Sequence, residues 1–400
     1  MPPSASRTTA ITGGRVLMPD GRVRPGTVVL DGGVVATVTA GALAAPAAEV
    51  VDVGGRLVVP GLIDLHLHGA AGRSFEEVAP PGAPEDDDGA VPSILRHLAR
   101  AGVTATAASL VSDDVEAMAR RAEALAAWRE RPVPDGAELL GAHLEGPFLA
   151  HAQCGAHDPA LLRAPEPDAV ERLARARPAM VTLAPELPGA VAAVQRLVAA
   201  GAVVAAGHSE AGPEELAAAE AAGLSHVTHL WSGQSSVTRS GPWRLPGLLE
   251  ASLASSTLTA EVIADGRHLP AELLEIARRC LGDRLVVVSD ATAGAGMPEG
   301  WTYELATVRC VVRGGVGMVV GAPAFGGSTT TLDGMLAHLC VDLGWPVTEA
   351  VAMLSTRPAA IAGVGHRKGR LAPGFDADVL VLDERLRPWR TWVRGVAVEP

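Results

Sequence analysis

The sequence predicts an α/β chain: a TIM-like (β/α)8 barrel carrying a small β-sandwich formed from both chain termini. Three observations lead there. Eight short, nearly continuous apolar runs alternate with Ala-, Leu- and Arg-rich stretches between residues 57 and 290. The two ends of the chain are Val- and Gly-rich and unlike this middle. Histidines and acids recur at or just past the C-terminal ends of the apolar runs, the edge that a parallel barrel gathers into one mouth.

Taken in order, residues 10–57 read as Val-rich segments separated by Gly-rich turns, a small antiparallel β-unit. The final stretch, DADVLVLDERLRPWRTWVRGVAVEP, has the same character, so 1–57 and 366–400 are expected to close one sandwich around a barrel of residues 58–365. The barrel strands are expected at 57–68, 104–111, 139–145, 180–186, 203–209, 226–231, 259–265 and 285–290. Unbroken Val, Leu and Ala without polar alternation suits strands covered on both faces. Helical spacing follows at 113–130, 165–177, 189–200, 213–222 and 270–280. An open doubly wound sheet is the rival, but no GxGxxG follows an early strand. Residues 76–92, acidic and Pro-rich, read as a surface loop, and 301–320 as an inserted β-hairpin.

Composition narrows the function. Aromatics are 3% against 48% apolar residues, so the core must be aliphatic. A net charge of −12 argues against nucleic acid or an anionic membrane as partner. Cys154, Cys280, Cys310 and Cys340 form no CxxC pair and read as reduced thiols, and the first residues lack the apolar core of a signal peptide. A cytoplasmic protein is expected.

His66 and His68, spaced i, i+2, point to one face of their strand. Inside a barrel two polar rings are costly unless partnered, and a metal ion would partner them; two hydrogen-bonded core histidines are the equal alternative for the pair alone. Glu145 closes AHLEGP, His208 lies in AAGHSEAG, His229 in VTHLW and Asp290 in VVVSDAT. Each alone also suits a salt bridge, a satisfied polar residue or an Asx turn. Six such groups at strand ends of one barrel point instead to a metal centre with a carboxylate able to move a proton.

These segments, with GLIDLHLHG, HLEGPFL, GAHDP, IADGRH and KGRLAPGFDADVLVLD, resemble the N-acetylglucosamine-6-phosphate deacetylase family of the amidohydrolase superfamily over nearly the whole chain. The resemblance implies removal of acetate from an N-acetylated amino sugar phosphate. By it, Glu145, His208 and His229 are ligands of the common metal site, His66 and His68 complete a second, and Asp290 is the general acid/base. The cofactor implied is one or two divalent ions per chain, with zinc, iron and manganese all compatible with these ligands. His157 matches a substrate-contacting histidine. Arg244 and His268 match groups that reach the sugar phosphate from the neighbouring subunit, implying a homodimer.

The sequence departs from the family after THL, where an aromatic residue followed by Asn-Ala-Met is usual. Here Trp231-Ser232-Gly233-Gln234 stand, with Arg239 an added cation in the same loop. Phe325–Thr330 replaces a Leu-Ala-Gly-Ser-like run. Substrate contacts are expected from Ser232, Gly233, Gln234 and Arg239. A deacetylase of another N-acyl amino sugar is the alternative activity. A non-catalytic sugar-binding barrel is disfavoured, because every metal-ligating position and Asp290 are filled.

Overall fold

The computed structural model describes residues 8–41, 47–79 and 89–399. Eight parallel strands lie side by side in chain order: Leu62–Asp64, Val103–Leu110, Glu138–Glu145, Met180–Leu183, Val203–Ala206, His226–Val227, Thr259–Ile263 and Leu285–Val288. The last returns to the first through a parallel bridge between Leu67 and Ala291, and the Asp290 N–H donates to the His66 carbonyl at 2.9 Å. The barrel is therefore nearly closed. Its aliphatic strands are buried over nearly their whole length, Val103–Leu110 at every position, as strands with side chains both in the barrel and under the helices must be.

Each expected helix is present: Val115–Arg129, Pro167–Arg175, Ala190–Ala199, Pro213–Ala221 and Ala271–Leu281. The first starts where the Asp114 carboxylate accepts from the Glu116 and Ala117 N–H groups. The expected loop 76–92 falls partly outside the described residues, and its end is already helical, in Ala90–Arg100.

Three expectations are corrected. The apolar run 57–68 is not one strand. Leu57–Pro60 pairs with Val379–Leu382 and with Arg15–Val16 in the terminal sheet, and the barrel strand proper begins at Leu62–Asp64. The pair Pro60-Gly61 inside the apolar run marks where the chain changes sheets. The terminal unit is also not purely antiparallel, since Thr9–Leu17 pairs in parallel with Glu49–Asp52 and with Leu57–Val58. Its eight strands wrap around a core that includes Ile11, Val28, Leu30, Val58, Val379 and Trp392. Finally, the hairpin expected at 301–320 is part of a four-stranded antiparallel sheet, Thr302–Leu305, Val308–Arg313, Val316–Val319 and Phe325–Ser328. Its last strand runs back to the eighth barrel strand, where the Ser328 N–H donates to the Asp290 carbonyl at 2.8 Å.

Barrel and terminal sheet are joined by a buried ion cluster. Lys368 Nζ lies 2.6 Å from Asp378, 2.9 Å from Asp376 and 2.9 Å from Glu138, which opens the third barrel strand. Arg367 pairs with Glu138 and Asp376 from the other side. Burial opposes the Glu138 charge, but the Arg367 and Lys368 partners hold its pKa down at about 2.

Candidate metal centre and substrate cavity

The C-terminal ends of the strands converge as the sequence pattern requires. The centre of the cluster is Glu145. One carboxylate oxygen lies 2.8 Å from His229 Nε2 and 3.0 Å from His208 Nε2. The other lies 3.3 Å from His68 Nε2, and 3.5 Å from both His66 Nε2 and His157 Nε2. Asp290 Oδ1 stands 3.4 Å from His68 Nε2 and 3.5 Å from His66 Nε2. All seven side chains are nearly or wholly withdrawn from solvent.

For His208, His66 and His157 a hydrogen bond on the far side of the ring decides what it can offer the cavity, whereas Nδ1 of His68 and of His229 is buried with no partner among the described residues. His208 Nδ1 lies 2.7 Å from the Gln153 carbonyl, which can only accept, so Nδ1 carries the proton and Nε2 turns a lone pair toward Glu145. His66 is fixed the same way by Glu261, 3.2 Å from its Nδ1. His157 is the reverse case. Its Nδ1 accepts the Ser112 N–H at 3.2 Å, which leaves Nε2–H as a donor facing the cavity. Burial pushes the His157 pKa down to about 4, so the ring is a neutral donor at neutral pH. His143, in the same strand as Glu145, is occupied by the Ser109 and Thr182 hydroxyls and is a satisfied core residue.

A lone pair of His208 aimed at a carboxylate 3.0 Å away is repulsive unless positive charge lies between or on them. His66 Nε2 and His68 Nε2 also face each other at 3.2 Å. Burial opposes protonation of both rings, yet Glu145 for His66, and Asp290 with Glu145 for His68, raise their pKa values, that of His68 to about 9. The cluster thus demands cationic charge. The donor sets His66–Glu145–His229, His66–His68–Asp290 and Glu145–His157–His208 each have ligand atoms within 4.8 Å of one another, and imidazole with carboxylate is the ordinary ligand set for zinc, iron or manganese. These residues fit a divalent ion; His157, with its proton on Nε2, does not fit as a ligand.

The backbone is strained where it aims the site. His208 (φ 47°), Trp231 (φ 70°) and Asp290 (φ 48°) occupy the left-handed region and all line the cavity. Non-glycine residues held there tend to cluster at functional sites.

The cavity that holds the cluster is also lined by Val111, Leu305, Ala324, Phe325, Trp231, Ser232 and Gly233. Two sequence expectations change here. Gln234 does not face the cavity: its amide spans its own loop, accepting from the Trp231 N–H and donating to the Thr228 carbonyl. His268 was expected to serve the neighbouring site, but its ring lines the cavity of its own chain. Asp265 orients it at 2.7 Å and, against the effect of burial, raises its pKa. Arg239 and Arg244 sit opposite each other on the exposed hairpin Thr238–Ser240/Trp243–Leu245, away from this cavity. Among the described residues no arginine or lysine lines the cavity.

Sequence reasoning missed Glu261, Asp265 and Asp64. The signal for Glu261 was available: an acid in the middle of the apolar stretch TAEVIA, with no register reason to face solvent. Burial opposes its charge, but hydrogen bonds from His226 and His66 hold its pKa well below the ordinary range. Asp64 closes the barrel by accepting from the His66 and Ser289 N–H groups, and burial pushes it up to about 7.

Residues 57–398 match the amidohydrolase family. N-acetylglucosamine-6-phosphate deacetylase of Danio rerio is 33% identical over 87% of this chain and 86% of its own length. N-acetylgalactosamine-6-phosphate deacetylase of Escherichia coli O157:H7 is 31% identical over 85% and 87%. Among solved structures, N-acetyl-D-glucosamine-6-phosphate deacetylase of Mycobacterium smegmatis, a mutant in complex with N-acetyl-D-glucosamine-6-phosphate, superposes with a TM-score of 0.87 at 31% identity, covering 99% of this chain and all of the other. The chain belongs to the amidohydrolase family, and within it to the N-acetylglucosamine-6-phosphate deacetylases.

Proposed function

We propose that the protein hydrolyses the acetamide of N-acetylglucosamine-6-phosphate, releasing acetate and glucosamine-6-phosphate. The observation that carries this reading is the convergence of Glu145, His208, His229, His66, His68 and Asp290 at one barrel mouth, in a chain that matches deacetylases end to end. Glu145, His208 and His229 would hold the common ion, and His66 and His68 a second. A divalent ion held there would supply Lewis acidity for the amide carbonyl and for water. Asp290 takes the proton of the attacking water and returns it to the departing nitrogen. His157, a neutral Nε2–H donor, hydrogen-bonds the carbonyl oxygen as negative charge develops on it.

The phosphate end is served by the Ser232 hydroxyl, the Gly233 backbone and His268. Since no Arg or Lys among the described residues lines the cavity, we assign the missing cation to Arg244 of a second copy, with Arg239 beside it. The exposed Val237, Trp243 and Leu245 on and beside the same hairpin suit a homodimer contact. Among the described residues no helix is long and apolar enough to cross a membrane, and the four cysteines are free, which suits the cytoplasm.

The galacto isomer is the second reading, favoured by the Escherichia coli relative and by the altered 231–234 loop. Turnover of the two phosphorylated sugars and of unphosphorylated N-acetylglucosamine separates the readings. We expect the gluco phosphate to be preferred and Arg244→Ala to lower kcat/KM at least ~10-fold, the cost of one charged hydrogen bond. Equal efficiency with and without phosphate, unaffected by Arg244→Ala, would overturn the assignment of a phosphorylated substrate.

A further inference from the structure

Beneath the metal centre runs a buried string of polar groups that the proposed reaction does not use. Thr259 Oγ1 lies 2.6 Å from His226 Nδ1, and His226 Nε2 lies 3.0 Å from Glu261 Oε1. Glu261 Oε2 lies 3.2 Å from His66 Nδ1 and accepts the His229 N–H at 3.2 Å. Glu261 and His226 are fully buried. A carboxylate placed there must recover its lost hydration from donors, and it has three: two ring N–H groups and one backbone N–H.

We propose that Glu261 is the positioning residue for His66. Its Oε2 keeps the proton on His66 Nδ1, so that Nε2 presents a lone pair to the cavity, and binding of an ion at His66 and His68 depends on it. The string has one direction. Glu261 can only accept, so His66 and His226 must each donate to it. With one ring proton, on Nε2, His226 has Nδ1 left to accept from the Thr259 hydroxyl at 2.6 Å, a shorter contact than that hydroxyl makes with the Ser225 carbonyl at 3.1 Å. His208 is set independently by the Gln153 carbonyl, so losing Glu261 acts on the His66/His68 position more than on the Glu145/His208/His229 position. A carboxylate behind a ligating histidine is commonly worth 10–100-fold in metal affinity.

The inference rests on the metal reading of the site. The test uses the whole chain reconstituted with zinc, with ions per chain and the affinity of each measured by elemental analysis and chelator competition. Glu261→Leu removes all three acceptor contacts and is expected to weaken the second ion ~10–100-fold while the first stays bound. Glu261→Gln serves if the Leu variant fails to fold. Its amide oxygen can still accept from His66 and His229, so the second ion is expected to be weakened less than in the Leu variant. Its NH2 must then face His226, which is expected to move its proton from Nε2 to Nδ1, visible in the ¹⁵N spectrum of labelled imidazoles. Unchanged affinity of both ions in Glu261→Leu, or an unmoved His226 proton in Glu261→Gln, would overturn the role of Glu261 alone. An unaltered chain that binds no zinc would overturn it together with the metal reading.

Discussion

Replacing Asp290 by Asn removes the proposed proton carrier with little other disturbance. The backbone of Asp290 is held on both sides, its N–H donating to His66 and its carbonyl accepting from Ser328, and neither bond involves the side chain. Its φ of 48° is one that Asn tolerates, whereas Ala would add the strain of the left-handed region, about 1–2 kcal/mol. Asn is therefore the informative replacement. It keeps the volume and one acceptor oxygen near His68 and His66, now 3.4 and 3.5 Å from Oδ1, but cannot receive a proton at neutral pH. General acid–base catalysis is worth about 10²–10⁴ in rate, or roughly 2.7–5.5 kcal/mol at 1.36 kcal/mol per decade. The fall should lie in kcat, with KM nearly constant, because Asp290 acts on the proton in flight rather than on the bound sugar. Acetate release from N-acetylglucosamine-6-phosphate, measured alongside metal content, is the assay. A rate within a few-fold of the unaltered enzyme at the same metal content would refute the reasoning and return Asp290 to a turn-forming role.

His157→Ala should lower kcat by about 10²–10³, the usual cost of one donor to a developing oxyanion. Because the His157 pKa is pushed down to about 4, it should contribute no acid limb to the kcat/KM profile above about pH 5; a limb near pH 6.5 that disappears in the variant would contradict this. Glu138→Gln should destabilise the fold by about 3 kcal/mol at pH 7, the worth of a carboxylate held near 2 instead of 4.5. A depressed pKa stabilises above the unfolded value, so the difference between the two proteins in urea unfolding should be full above about pH 5 and shrink as the pH falls toward 2. Chelation should lower Tm as well as activity, since an ion that binds only the folded chain stabilises it by mass action; a Tm indifferent to chelator and to added divalent ion would count against the site.

Much of this protein was legible in the chain itself. Apolar runs without alternation can be buried only on both faces, which sets the parallel barrel, and polar groups placed at the ends of those runs have one edge on which to meet. His66, His68, Glu145, His208, His229 and Asp290 could therefore be named before any coordinate was known. What sequence could not decide was contact between distant elements. The run 57–68 carries two strands because the terminal sheet needs Leu57–Pro60 beside Val379–Leu382, more than three hundred residues away. Gln234 reads as a substrate contact until its loop closes and consumes the amide, and His268 reads as a neighbour's residue until its ring is seen in its own cavity. The tautomers were hidden for the same reason. Whether a histidine offers a lone pair or a proton depends on the group behind it, and Gln153, Ser112 and Glu261 reach those positions only when the barrel closes.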